Sequence, residues 1–320
     1  MYRNIMVPVD GSSFSREAVL QGLRIASQCG AALHLVKVAV APVIPAAPEA
    51  IAIAGESVYD TNPGELSELY AIAAECRAHS TVNVTASLER GPVVDALVGF
   101  AHRHDVDLIV MRSHARGGMK RVWFGSVADG LIRESGIPVL IVRPPSVATA
   151  LESGMHMRRI LVPLDGSALA EKALAPAVKL AKVEGAAITL LRVVTAWKQP
   201  APGELASAIG PASALEVSEA QRYLDSLLAW PEIGALRVTR RVAISADPAL
   251  TILETARMIE ADLITIATRG RGALKRATAG SVSDRVMREA DVSAIVLHPM
   301  MQDSVMPEVV APILTGVVMA

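Results

Sequence analysis

Two acidic turns and two glycine–arginine loops are the segments of this sequence whose residue types could do chemistry. The first acidic turn is Pro8-Val-Asp10-Gly-Ser-Ser, and the second is Pro163-Leu-Asp165-Gly-Ser. An aspartate that ends a strand, followed by glycine, offers a carboxylate acceptor where a sheet opens to solvent. It can take hydrogen bonds from a ribose hydroxyl or a base amine, and equally it can do no more than organise the turn into the next helix. The first loop runs from Met111 through Arg112, Arg116 and Lys120 to Gly125-Ser126-Val127. The second runs from Ala267 through Thr268-Arg269-Gly270-Arg271 and Lys275 to Gly280-Ser281-Val282. Glycine lets backbone N–H groups approach a phosphate, and a helix N-terminus adds free donors and a favourable dipole. Ser126 and Ser281 can add a hydroxyl donor or serve as N-caps, the plainer role for an isolated Gly-Ser.

These segments recur at one offset. Asn4-Ile-Met-Val-Pro-Val-Asp-Gly-Ser12 returns 155 residues later as Arg159-Ile-Leu-Val-Pro-Leu-Asp-Gly-Ser167. Asp107-Leu-Ile returns as Asp262-Leu-Ile, Gly125-Ser-Val as Gly280-Ser-Val, and Val142-Arg-Pro144 as Leu297-His-Pro299 at the same shift. The chain is therefore two copies of one unit. The reading is a first domain over 1–144, a linker over 145–156, a second domain over 157–300 and an apolar tail over 301–320.

Each copy alternates short β-branched runs with longer amphipathic ones, which predicts βαβ units and parallel sheets. Strands are expected near 3–9, 31–38, 82–88, 107–112 and 138–142, and again near 158–164, 187–194, 236–243, 262–268 and 293–298. Helices are expected near 13–28, 64–79, 92–104 and 125–135. In an open parallel sheet, ligands sit beyond the carboxyl ends of strands where the strand order reverses. If strands 1 and 4 are neighbours there, the acidic turn and the glycine–arginine loop face one crevice. The proline-rich stretches 39–63 and 195–211 read as lids or surface loops.

Composition narrows the function. With 31 basic against 32 acidic residues the net charge is −1, which argues against general nucleic-acid binding. The chain is 52% hydrophobic and 3% aromatic, so its cores are aliphatic. Cys29 and Cys76 read as small reduced core residues, and with no secretory signal the expected location is cytoplasmic. No apolar run reaches the ~18–20 residues that span a bilayer. No G-x-S-x-G, H-E-x-x-H or Walker A pattern is present. His102-Arg-His104-Asp105 falls at a helix end, where histidine suits the dipole.

Taken together, the strand ending Pro-Val-Asp-Gly-Ser, Asp-Leu-Ile-Val-Met before the loop, the Gly-Ser-Val helix start and the final Pro-Val-Leu-Ile-Val strand resemble a universal stress protein domain. The resemblance covers 2–144 and 157–299. It implies an adenine nucleotide alpha hydrolase-like fold: two tandem open parallel five-stranded sheets, strand order 3-2-1-4-5, with helices on both faces. It implies ATP, with or without Mg2+, as the ligand, with at most slow hydrolysis.

Family members that bind ATP carry Gly, two residues, Gly, nine residues, then Gly-Ser or Gly-Thr. Here the leading glycines fall on Arg112 and Ala115 in the first copy and on Ala267 and Gly270 in the second; Gly125-Ser126 and Gly280-Ser281 are kept. By resemblance the ligand set is Pro163, Asp165, Val193, Thr268, Arg269, Gly270, Arg271, Gly280, Ser281 and Val282. In the first copy it is Pro8, Asp10, Val38, Gly125, Ser126 and Val127. Val38 and Val193 stand for the backbone after strand 2 that contacts adenine. The departures make the second copy the better site. Pairing of domains through their last strands implies an intramolecular pseudo-dimer through Val139–Val142 and Ala294–Leu297, with a homodimer as a further option. The expected role is a stress-response regulatory module acting on an unknown protein partner. A nucleotide-free interaction scaffold is the alternative, and an adenylate-forming enzyme would need an acid–base or metal set that is not found.

Overall fold

The computed structural model describes residues 1–39, 63–112, 125–143, 156–195, 214–268 and 282–298. In the first half the strands are β1 (Asn4–Pro8), β2 (Ala32–Ala39), β3 (Val84–Arg90), β4 (Leu108–Arg112) and β5 (Val139–Val142). Between them lie helices α1 (Ser13–Cys29), α2 (Pro63–Ala78), α3 (Val93–Arg103) and α4 (Ser126–Glu134). The second half has β6 (Arg159–Leu164), β7 (Ala187–Thr195), β8 (Val238–Ser245), β9 (Leu263–Ala267) and β10 (Ser293–Leu297). Its helices are α5 (Ala168–Glu171), α6 (Leu174–Glu184), α7 (Ala214–Leu228), α8 (Pro231–Gly234), α9 (Pro248–Met258) and α10 (Val282–Glu289).

Each half forms a parallel five-stranded sheet in the order 3-2-1-4-5. The strands β5 and β10 then pair antiparallel, Leu140 opposite Ile295, which merges both into one sheet: β3-β2-β1-β4-β5-β10-β9-β6-β7-β8. The terminal strands cover each other's edges, as an unpaired apolar edge demands.

Alternation along the strands sorts the core into two layers. Ile5, Val7, Leu108, Val110, Ile160 and Leu263 face α1, α2, α6 and α7. Met6, Ile109, Met111, Leu161, Ile264 and Val296 face α3, α4, α9 and α10. Both layers run unbroken across the seam between halves. Each buried aliphatic side chain there contributes roughly 1.5–3 kcal/mol relative to exposure.

Beyond the short α8, which has no counterpart in the first half, one helix departs from the repeat. The counterpart of α1 is broken at Lys172–Ala173 into α5 and α6. Pro176, standing where the first half has Gln21, lacks the N–H that would bond the carbonyl of residue 172.

The seam is held unequally. Arg24 of α1 makes a two-pronged ion pair with Glu184 of α6, at 2.6 and 2.5 Å, and the Glu184 side chain is fully buried. Arg143, just past β5, donates to the carbonyls of Met287 (2.5 Å) and Ala290 at the end of α10. Its repeat equivalent His298 stays within its own half, with Nδ1 2.9 Å from the carbonyl oxygen of Thr268.

Candidate functional site

Strand order reverses beside β1 and again beside β6, because β2 and β4 flank β1 as β7 and β9 flank β6. The ladders there are short: β1 pairs β4 only at Ile5–Leu108 and Met6–Ile109, and β6 pairs β9 only at Ile160–Leu263 and Leu161–Ile264. Pro8 and Pro163 follow two residues later. Both remain in register with strand 2, at Pro8–Val36 and Pro163–Leu191, but neither has an N–H to donate toward strand 4, and each falls where strand 1 has parted from strand 4 and a crevice opens.

Asp10 and Asp165 lie at the lips of these crevices, both exposed. Asp10 Oδ1 accepts from Ser12 N–H at 3.0 Å and Ser12 Oγ–H at 2.6 Å; Asp165 Oδ1 accepts from Ser167 at 2.9 and 2.6 Å. One oxygen of each carboxylate thus organises its turn. Gly11 and Gly166 follow at φ +80 and +81, where a side chain would be strained. A Cβ on Gly11 would also stand 3.0 Å from Glu68 Oε2.

Val38 and Val193 lie within β2 and β7 rather than after them, paired with Glu89 and Ala243 on one flank. The last registered partners on the other flank are Pro8–Val36 and Leu164–Arg192. Both valines therefore pass beyond the end of strand 1, and on that flank no ladder partner is assigned.

Gly125 itself is the N-cap of α4 and makes no side-chain cap bond. Ser126 is the first helical residue rather than the cap, correcting the N-cap reading; it is exposed, and Val127 behind it is half-buried. Thr268 is buried, its N–H held by the carbonyl of Leu297 at 2.9 Å. Val282, the first residue of α10, is exposed. Arg269, Gly270, Arg271, Gly280 and Ser281 lie outside the described residues, as do Ala115, Arg116, Lys120 and Lys275. The stretches 40–62 and 196–213 lie outside them too.

The two crevices differ in charge. In the first, Arg112 at the end of β4 forms an ion pair with Glu17 of α1, so the guanidinium of the strand that borders the opening is already paired. At the same positions the second half has Ala267 and Lys172. The second half thus has a methyl group in place of the guanidinium, and an exposed lysine in place of the carboxylate.

Sequence reading missed several neighbours of the acidic turns. Lys37 Nζ would stand 3.6 Å from a Cβ on Gly11, and the Arg192 guanidinium 3.7 Å from one on Gly166. Tyr223 of α7 donates to Glu171 Oε1 at 3.0 Å. Burial first, and then the Glu171 carboxylate, push the Tyr223 hydroxyl well above its ordinary range, so it stays a donor. The repeat offset was the available signal, since Lys37 and Arg192, like Glu17 and Lys172, are 155 residues apart.

A duplicated parallel sheet with a crevice at each reversal point is the class of protein that fold and site define. The sequence model of the universal stress protein family matches residues 1–143 and again 156–298. A universal stress protein of Mycolicibacterium smegmatis is 29% identical over 302 residues, covering 92% of this chain and 97% of the relative. One of Mycobacterium tuberculosis is 26% identical over 328 aligned positions, covering 95% and 97%. The crystal structure of a universal stress protein from Archaeoglobus fulgidus has the same fold, with a TM-score of 0.62 at 20% identity over 92% of this chain and 98% of that one. The chain belongs to the universal stress protein family, with a family unit in each half.

Among the described residues, no helix is long and apolar enough to cross a membrane.

Proposed function

We propose that this chain binds one adenine nucleotide, ATP with or without Mg2+, in the crevice of its second half, and acts as a cytoplasmic stress-response regulator through an unidentified protein partner. Residues 1–144 and 157–300 act as its two domains, with 145–156 as linker and 301–320 as tail.

The contrast between the crevices carries this reading. Arg112 at the end of β4 is paired with Glu17, whereas the second half has Ala267 and Lys172 at those positions. A triphosphate brings several negative charges, which an unneutralised lysine favours and a neutralised pair does not. In the second half Asp165 would accept from the ribose, the β7 backbone at Val193 would meet the adenine, and Thr268, Arg269, Gly270, Arg271, Gly280, Ser281 and Val282 would hold the phosphates. Pro163 keeps strand 1 clear of strand 4. In the first half Pro8, Asp10, Val38, Gly125, Ser126 and Val127 would form the weaker counterpart. A nucleotide regulates such a module only by binding one conformation better than another.

The competing reading, a nucleotide-free scaffold, draws on the way each aspartate already bonds its own turn. Nucleotide extracted from freshly purified protein and identified by mass spectrometry separates the two. Co-purifying adenine nucleotide supports the proposal; its absence, together with no calorimetric ATP binding, supports the scaffold.

A further inference from the structure

The seam between the halves has two pseudo-equivalent ends, and among the described residues side chains fill them differently. At one end Arg143 reaches from β5 to the carbonyls of Met287 and Ala290, and its N–H donates to Ser293 Oγ at 3.1 Å. The charges of α1 there are paired: Arg24 with Glu184 of α6, and Glu17 with Arg112 of β4. At the other end His298 turns back to Thr268, and a cavity of ≈ 310 Å³ remains beside Gly136, Ile137 and Pro138. Leu297 of β10 and Ala175 and Pro176 of α6 complete its apolar wall, while Tyr2 and Asp107 of the first half line it as well.

The equivalents of Glu17 and Arg24 at this end are Lys172 and Lys179, and both line the cavity. Neither has a carboxylate partner among the described residues. Lys179 Nζ lies 5.4 Å from the Tyr2 ring centroid, a cation–π contact that leaves its N–H donors to be shared. The remaining charge is Asp107, whose oxygens accept from the N–H groups of Arg3 and Asn4 at 3.1–3.2 Å. With one carboxylate committed to backbone and two lysines unneutralised, the cavity is apolar in its walls and cationic along α6. It is also large enough for a compact ligand.

The geometry points to a binding site at the seam for a small organic carboxylate with an apolar body, held by Lys172 and Lys179 and packed on Ile137, Pro138 and Leu297. Lys172 is shared with the neighbouring nucleotide crevice, but the other lining residues are not, and binding is read at Ile137 and Leu297, so the site does not rest on that reading. Because both halves supply its walls, its occupant ties them together.

Hexanoate is a suitable probe, followed through the methyl NMR signals of Ile137 and Leu297 in the full chain. Saturable shifts of both signals are expected. Hexanol and inorganic phosphate, which each lack one half of the chemistry, should bind at least about tenfold more weakly, the loss of one charge-assisted contact or of the apolar contact. Changing Lys172→Gln together with Lys179→Gln should weaken hexanoate by a similar factor. Ala175→Trp, at an exposed position on the wall, should abolish the shifts and guards against a lysine variant that fails to fold. No saturable shift with hexanoate, equal binding of hexanol, or undiminished binding in the lysine variant would each overturn the assignment.

Discussion

Replacing Arg24 by Met should destabilise the chain by about 3 kcal/mol, through the carboxylate it abandons rather than through the contact it loses. Arg24 meets both oxygens of Glu184 at 2.6 and 2.5 Å, and the Glu184 side chain has no exposed surface. Removing one member of such a buried pair costs roughly 3–5 kcal/mol, because an uncompensated charge stays in a low-dielectric setting. The lower figure applies here because His156, 3.5 Å from Glu184 Oε2 and nearly half exposed, leaves a polar neighbour at the solvent side of the abandoned carboxylate. The reverse change, Glu184→Met, should cost only about 1–2 kcal/mol. Arg24 retains some exposure and has Gln28 Oε1 at 3.4 Å as a second acceptor. With both residues Met, the apolar pair should fall within about 1 kcal/mol of the native chain. Urea denaturation of the four proteins closes the cycle, with a coupling energy of about 4–5 kcal/mol expected from these values. Additive single changes, or an Arg24→Met effect below about 0.5 kcal/mol, would refute this reasoning, since surface-like pairs give values of that size.

Further expectations concern other buried polar groups. Thr265 of β9 is fully buried with its hydroxyl unbonded among the described residues, and the first half has Val110 at that position. Thr265→Val should therefore stabilise the chain by about 1 kcal/mol in denaturant melts, and any loss of stability would contradict the account. Arg143→Met should cost about 1–3 kcal/mol by leaving the last carbonyls of α10 without donors. Native-state hydrogen exchange should show faster opening confined to α10 and β10, and unchanged exchange there would count against that role. His34 is buried between Thr85 Oγ1 at 2.8 Å and Asn4 Oδ1 at 3.4 Å, and burial first, then His104, lowers its pKa. The folded chain thus holds it neutral while the unfolded chain protonates near pH ~6.5. Stability is full above that pH and is lost as pH falls below it. His34→Gln should flatten the slope by up to about 1.4 kcal/mol per pH unit, and an unchanged slope would sink the assignment.

Much of the fold was legible because the repeat offset holds across every strand. Parallel sheets followed from the βαβ alternation, whereas the strand order and the pairing of the last strands came from the family resemblance, the pairing being consistent with their short apolar sequences. Pro8 and Pro163 also marked the crevices, although their meaning, the early end of the β1–β4 and β6–β9 ladders, emerges only with the register. The break at Lys172–Ala173 was readable from Pro176 but was hidden by treating the two halves as identical. Ser126 was placed one position too early because Gly125, with no side chain, is a weak sign of an N-cap. The contacts of Arg143, Arg24 and Glu184 had no local signal. They join residues about 144–160 positions apart, and nothing in composition or periodicity sets which charge crosses a seam.

Calorimetric titration of the intact chain with ATP tests the proposed function most directly, alongside Asp165→Ala and Asp10→Ala variants. One nucleotide bound per chain is predicted, with affinity lost in Asp165→Ala and kept in Asp10→Ala. Two equal sites, a loss confined to Asp10→Ala, or no binding at all would contradict it.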